Sequence, residues 1–275
     1  MGDGRIADLG RPLSLAYRSL IFSAKGAGQL RKYSGLTSIA LIAAGFIGSA
    51  SPALAYRPFD GTDPDVADPG EFEIEASPLS YLHDDSGEVL IGPQLKFNYG
   101  IAPRWELVVE GQAEHPQTGG SHSAVVDNAV FLKTVLREGS LQGRPGLSLA
   151  TEFGGLLPGI NDQSGLGFEW AAIAGYEAVW GAIHLTFAAA LNREEKAEIF
   201  FSTIVEGPGE WRVRPVAELF YEREFHTTEI FSALGGFIWQ ARDDLSFDFA
   251  VRQADVNGSS ETELRFGLTY AFSLR

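Results

Sequence analysis

The C-terminal stretch "ETELRFGLTYAFSLR" has a period of two. Leu264, Phe266, Leu268, Tyr270 and Phe272 are apolar or aromatic, and Arg265, Gly267, Thr269 and Ala271 between them are polar or small. Such alternation puts successive side chains on opposite faces of a strand. The pattern recurs along the chain. In "GEFEIEA" Phe72, Ile74 and Ala76 oppose three glutamates, and in "VLIGPQLKFNY" Val89, Ile91, Leu95, Phe97 and Tyr99 oppose Gln94, Lys96 and Asn98. "RWELVVEG", "DNAVFLKTVLR", "GLSLATEF", "LGFEWAAIAGY", "AIHLTFAAAL", "WRVRPVAELFYER" and "LSFDFAVR" follow suit; "AEIFFSTIV" is ambiguous, with apolar residues on both parities, and "EIFSALGGFIW" is apolar with glycines. These make about twelve strands of roughly ten residues, the length that crosses a bilayer when tilted.

One apolar and one polar face suit two settings. A soluble β-sandwich buries its apolar faces together; a transmembrane barrel turns them to lipid and keeps the polar faces round a lumen. Periodicity does not separate the two, but the N-terminus favours export. Lys25, Arg31 and Lys32 precede "LTSIALIAAGFIG", and Ala53-Leu54-Ala55 is a small-residue cleavage site, so a signal peptide is expected to leave Tyr56 first. The alternative is one membrane-anchoring helix, for which the apolar stretch is short. An exported chain without later apolar spans enters a membrane only as a closed barrel.

Charge and composition narrow the function. The net charge is −15, which opposes binding to phosphate backbones, so no nucleic-acid partner is expected. The leader takes six basic and two acidic residues with it, leaving 15 basic against 34 acidic, a net charge of −19. With no cysteine, neither disulfides nor thiolate metal sites are available. The links read as alternately long ("SPLSYLHDDSGE", "EHPQTGGSHSA", "LPGINDQSG") and short ("IAPR", "EGSLQGR", "AVWG"), the outer-membrane asymmetry. It fades at "FHTT".

Several segments together carry a family resemblance: "RPFDGTDPDVADPGEFEIE", "LKFNYGIAPRWELVVEG", "DNAVFLKTVLRE", "LPG" and "RPVAELFYERE". From about Arg57 to Phe272 the chain resembles the phenol-degradation meta-pathway outer-membrane proteins. The acidic proline-rich lead-in and the hairpin from Asn98 to Pro103 are its most specific parts. The resemblance implies a transporter-like outer-membrane β-barrel associated with the catabolism of aromatic compounds. One departure is the C-terminus, where Ser273, Leu274 and Arg275 follow the aromatic Phe272.

No catalytic motif stands out, and no cofactor or metal is expected. "GLSLA" around Ser148 is not a nucleophile elbow. His83, His115, His122 and His226 are scattered over loops without ligand spacing. His184 falls on the inward parity; a hydrogen-bonded lumen histidine and a general base are both compatible with that position. The inward parity also collects charge: Glu73, Lys96, Glu106, Glu110, Asp127, Lys133, Arg137, Glu152, Glu169, Arg212, Arg214, Glu218, Glu222, Asp248, Arg252 and Arg265. Such residues could form a selectivity lining or neutralise one another in a salt-bridged plug.

The sequence thus predicts an all-β chain, a transmembrane antiparallel up-and-down β-barrel of about twelve strands behind a cleaved signal peptide. Residues 1–55 form the extension and signal peptide, 56–69 a periplasmic lead-in, and 70–275 the barrel. The expected function is a passive outer-membrane channel or transporter in a Gram-negative bacterium, for which the resemblance implies small organic molecules and points toward aromatic ones; the alternative is a non-conducting structural or surface-interaction barrel. Expected partners are outer-membrane lipid, the barrel-assembly machinery during insertion, and an unidentified small-molecule substrate.

Overall fold

The computed structural model describes residues 57–117 and 122–273; the signal peptide and Tyr56 lie outside these. Thirteen strands follow in order: β1 (Glu71–Ser77), β2 (Ser80–Asp84), β3 (Gly87–Ala102), β4 (Trp105–Pro116), β5 (Ala124–Arg137), β6 (Ser148–Leu156), β7 (Gly167–Ala178), β8 (Gly181–Leu191), β9 (Ala197–Glu206), β10 (Val213–Glu224), β11 (Thr228–Arg242), β12 (Leu245–Val256) and β13 (Ser259–Ser273). Each pairs antiparallel with its sequence neighbour, except β1 and β2. Those two share both neighbours, β3 on one side and β13 on the other, and so close the sheet. They are one interrupted strand, and the molecule is a closed barrel of 12 staves rather than a sandwich.

The interruption has a local cause. Pro78 offers no N–H to the ladder. Opposite it β3 bulges at Gly92, which has φ 154° and where a β-carbon would run into the Pro78 carbonyl oxygen. Beyond the bulge the parity of β3 reverses. Val89 and Ile91, outward by simple alternation, are therefore buried inside beside Leu82, whereas Lys96 faces in as expected.

Outside, the wall is apolar. Leu219, Phe237, Phe249 and Phe266 are exposed along the middles of their strands, and Phe231 nearer the start of β11. Trp105, Trp180, Trp211 and Trp239, four of the five tryptophans, ring the end where β1 starts and β13 finishes. An apolar band with an aromatic girdle is a lipid-facing surface. The ambiguous "AEIFFSTIV" resolves with Phe200 and Ile204 inside and Phe201 and Val205 outside.

The links depart from the expected asymmetry. "SPLSYLHDDSGE" is mostly strand, closed by a tight turn in which the Asp84 carboxylate accepts the backbone N–H of Ser86 (2.8 Å) and Gly87 (3.0 Å). At the terminal end, the link after β5 is long and holds a short 3-10 turn at Ser140–Gln142. It is anchored to the N-terminal segment, which is why it does not shrink to a hairpin.

Candidate functional site

The lead-in read as periplasmic runs inside the barrel. Its prolines and aspartates leave it without strand structure from Arg57 to Pro69, yet it crosses the lumen at mid-height and descends to the terminal-end mouth. Each step is held by a wall residue. Glu218 on β10 accepts the backbone N–H of Asp60 (2.8 Å) and of Gly61 (2.7 Å). Arg265 on β13 donates to the Pro58 carbonyl (2.7 Å) and the Asp60 carboxylate (2.9 Å). Arg57 donates to Gln94 (2.7 Å) and lies 3.5 Å from Asp248. Thr62 and Thr186 exchange backbone and side-chain hydrogen bonds. Lys133 meets Asp63 at 3.3 Å, Gln142 donates to the Pro64 carbonyl (3.2 Å) and Asp65 (3.1 Å), and Glu106 accepts the Ala67 N–H (2.6 Å).

The remaining inward charges pair among themselves. Lys96 meets Glu110 at 3.0 Å. Arg252 is held between Glu263 (2.9 Å) and Glu261, and Arg265 shares Glu263. His184 lies 3.3 Å from Glu206, which also accepts Arg214 at 2.9 Å. Asp127 accepts the Gln112 amide at 3.0 Å, and Asn98 donates to Glu73 (3.2 Å) and Glu75 (2.8 Å). Glu222 is buried on the inner face; Glu152 and Glu169 border the cavities described below.

Two residues of the sequence-derived lining are not in the lumen. A bulge lets Val135 pair with Ala150 but Arg137 with Leu149, so Arg137 swings to the exposed outer rim. Arg212 precedes β10 in an exposed link, so strand parity does not apply to it.

Parity also missed an apolar share of the interior. Phe200 and Phe220 pack with ring centroids 5.3 Å apart among Ala150, Ile173, Ala188 and Ile230. Val108, Phe131 and Leu156 form another cluster, and Phe59 of the segment packs on Val216 and Ile238. Side chains from one wall and the lead-in come close enough in a twelve-stave barrel to build such a core.

Two cavities border the segment. One of about 550 Å³ lies toward the terminal-end mouth and is bounded by Asp63, Asp65, Glu73, Glu106, Lys133 and Glu152. The other, about 110 Å³, lies on the segment's opposite side among Phe59, Asp127, Glu169, Arg193 and Phe200. Among the described residues, no group of three histidine or acidic side chains is arranged to hold a metal ion.

No protein-family model matches the chain, nor does any curated protein. Solved structures do. The COG4313 outer membrane channel from Pseudomonas putida F1 superposes with a TM-score of 0.55 at 10% identity, covering 76% of this chain and 97% of that one. The NanC porin gives 0.51 at 8% identity, over 72% of this chain and 98% of that one. The chain has the fold of outer-membrane channels, and its apolar outer band places it in the outer-membrane bilayer.

Proposed function

We propose that the chain is a passive outer-membrane channel for small organic molecules, closed at rest by its own N-terminal segment, residues 57–69. The way that segment is held carries this reading. It contributes no strand to the sheet, so it can leave the lumen without unpairing the wall. Apart from Phe59, which packs on Val216 and Ile238, what seats it is a set of polar contacts beside cavities, where water can take over the hydrogen bonds. The finer assignment to the phenol-degradation meta-pathway proteins, with aromatic cargo, rests on the resemblance of the lead-in and the Asn98–Pro103 hairpin. Insertion by the barrel-assembly machinery belongs to the same proposal. No catalysis is assigned, since the His184 ring is enclosed and faces a glutamate already engaged by Arg214.

The multiplicity of those contacts favours a second reading, a barrel that never conducts. Planar-bilayer recording separates the two. Sparse openings in the intact protein and a steady open state after deletion of 57–69 support the channel. A deletion variant that still shifts mobility on heating, as a folded barrel does, but stays silent overturns it.

A further inference from the structure

The smaller cavity is roofed by the link between β8 and β9. There Arg193 turns inward and donates to the carbonyls of Leu157 (2.6 Å) and Asn128 (2.8 Å). Part of the cavity wall is apolar, built from Phe59, Phe131, Leu156 and Phe200. Another part carries Asp127. Glu110 pairs with Ala129 but Gln112 with Val126, so β5 holds one extra residue here, and Asp127 adopts φ 54°. That left-handed conformation is unusual for a residue with a side chain.

Asp127 is only 9% exposed. Its Oδ2 accepts the Gln112 amide, but its Oδ1 receives no hydrogen bond, and the Nη1 of Arg193 stands 4.0 Å away. A buried acceptor without a donor is costly, so it marks a place where a ligand group can substitute. The other cations on the lining are engaged: Lys96 by Glu110, and Arg57 by Asp248 and Gln94. Six carboxylates against three cations border the cavity, which makes it hostile to an anionic ligand.

We propose that this cavity binds a small aromatic ammonium, a protonated primary amine one or two methylenes from a single ring. The ammonium donates to Asp127 Oδ1, and the ring packs against Phe131 and Phe200. An ammonium supplies both the missing donor and the compensating charge; a hydroxyl supplies only the donor, and a carboxylate neither. At about 110 Å³ the cavity is smaller than the apolar cavity of about 150 Å³ that holds a benzene, so it limits the ligand to a single ring and requires its lining side chains to yield on binding. The proposal rests on the channel reading only for how the amine arrives, and binding is measurable without conduction.

The test is calorimetric titration of the full-length mature barrel in detergent with phenethylammonium, 2-phenylethanol and phenylacetate. Phenethylammonium is expected to bind at least about tenfold more tightly than the alcohol, and phenylacetate not at all. Asp127→Asn should erase that advantage and Asp127→Glu restore part of it, with heat-dependent gel mobility reporting that each variant is folded. Equal affinity for amine and alcohol, or binding of phenylacetate, overturns the proposal on the unaltered protein alone. An unchanged preference in folded Asp127→Asn overturns it too. Amine binding by a barrel that stays silent after deletion of 57–69 would sink the channel reading and leave the site standing. Conduction without amine preference does the reverse.

Discussion

The ammonium of Lys133 lies 3.3 Å from the carboxylate of Asp63, and both are buried inside the barrel although 70 residues separate them. Alternation in "FLKT" turns Lys133 inward and suggests Asp127 or an acid of an adjacent strand as its partner. Its cross-strand neighbours are indeed Glu106 and Glu152. Yet Glu106 serves the Ala67 N–H, and the ion pair forms with the N-terminal segment. A buried cation needs both charge and hydrogen-bond compensation. Here the wall supplies cations and the acidic lead-in supplies part of the counter-charge.

That arrangement fixes the register of β5. Leu132 and Lys133 must face opposite sides of the wall. Because the protein has no cysteine, single cysteines at these positions report cleanly. Position 132 is expected to react with a lipid-soluble thiol reagent from within the bilayer, and position 133 is not. The opposite pattern would reverse the inner and outer faces of β5.

The outer face is tested by placing a charge on it. Leu219 is 65% exposed at the middle of β10, next to the inward Glu218. Leu219→Arg should destabilise the barrel by roughly 2–4 kcal/mol if the residue lies near the bilayer midplane. Leu219→Phe should cost little. Urea unfolding in lipid vesicles measures both; an arginine tolerated as well as a phenylalanine means that this face does not meet acyl chains.

Much of the barrel was legible because lipid outside and charge inside enforce a strict two-residue period. It failed where the period itself is broken. The Gly92 bulge reverses Val89 and Ile91, and the shift between Val135 and Arg137 ejects Arg137, because one extra residue flips every side chain beyond it. The lead-in was misplaced for a different reason. Local composition reads "RPFDGTDPDVADPG" as unstructured, and so it is; its location depends on contacts with Glu218, Arg265 and Lys133, far away in sequence. One available clue was the pairing of inward cations such as Arg265 and Lys133 with an acid-rich segment of no other purpose.

The segment should respond to pH through Asp65 at the terminal-end mouth. Burial, and then the neighbouring Asp63 carboxylate, raise its pKa from 3.8 to about 6; the Gln142 amide and Lys133 act the other way. The seated state therefore favours the protonated acid. Asp65 opposes docking least below about pH 4, and its penalty grows as the pH rises toward 6. Protease accessibility of the segment should accordingly be lower at pH 5 than at pH 7.5, and Asp65→Asn should flatten that difference. Accessibility that increases on acidification would contradict the sign.

At Gly61 the segment lies directly against the wall. Its N–H donates to Glu218, and a β-carbon at this position would collide with Ser202 Oγ and come within 3.2 Å of Ile204 Cδ1. Gly61→Val cannot keep both the hydrogen bond and the approach, so the seated state should lose stability while the wall, whose ladder excludes residue 61, stays intact. Glu218→Gln is a milder version. It removes the charge that strengthens two backbone hydrogen bonds, at a cost of roughly 1–3 kcal/mol. The expected result is open-channel occupancy rising in the order intact protein, Glu218→Gln, Gly61→Val, with unchanged heat-dependent gel mobility in all three. The order matters because each substitution weakens the same contact by a different amount. If Gly61→Val stays folded and conducts no more than the intact barrel, the N-terminal segment is not what holds the lumen closed.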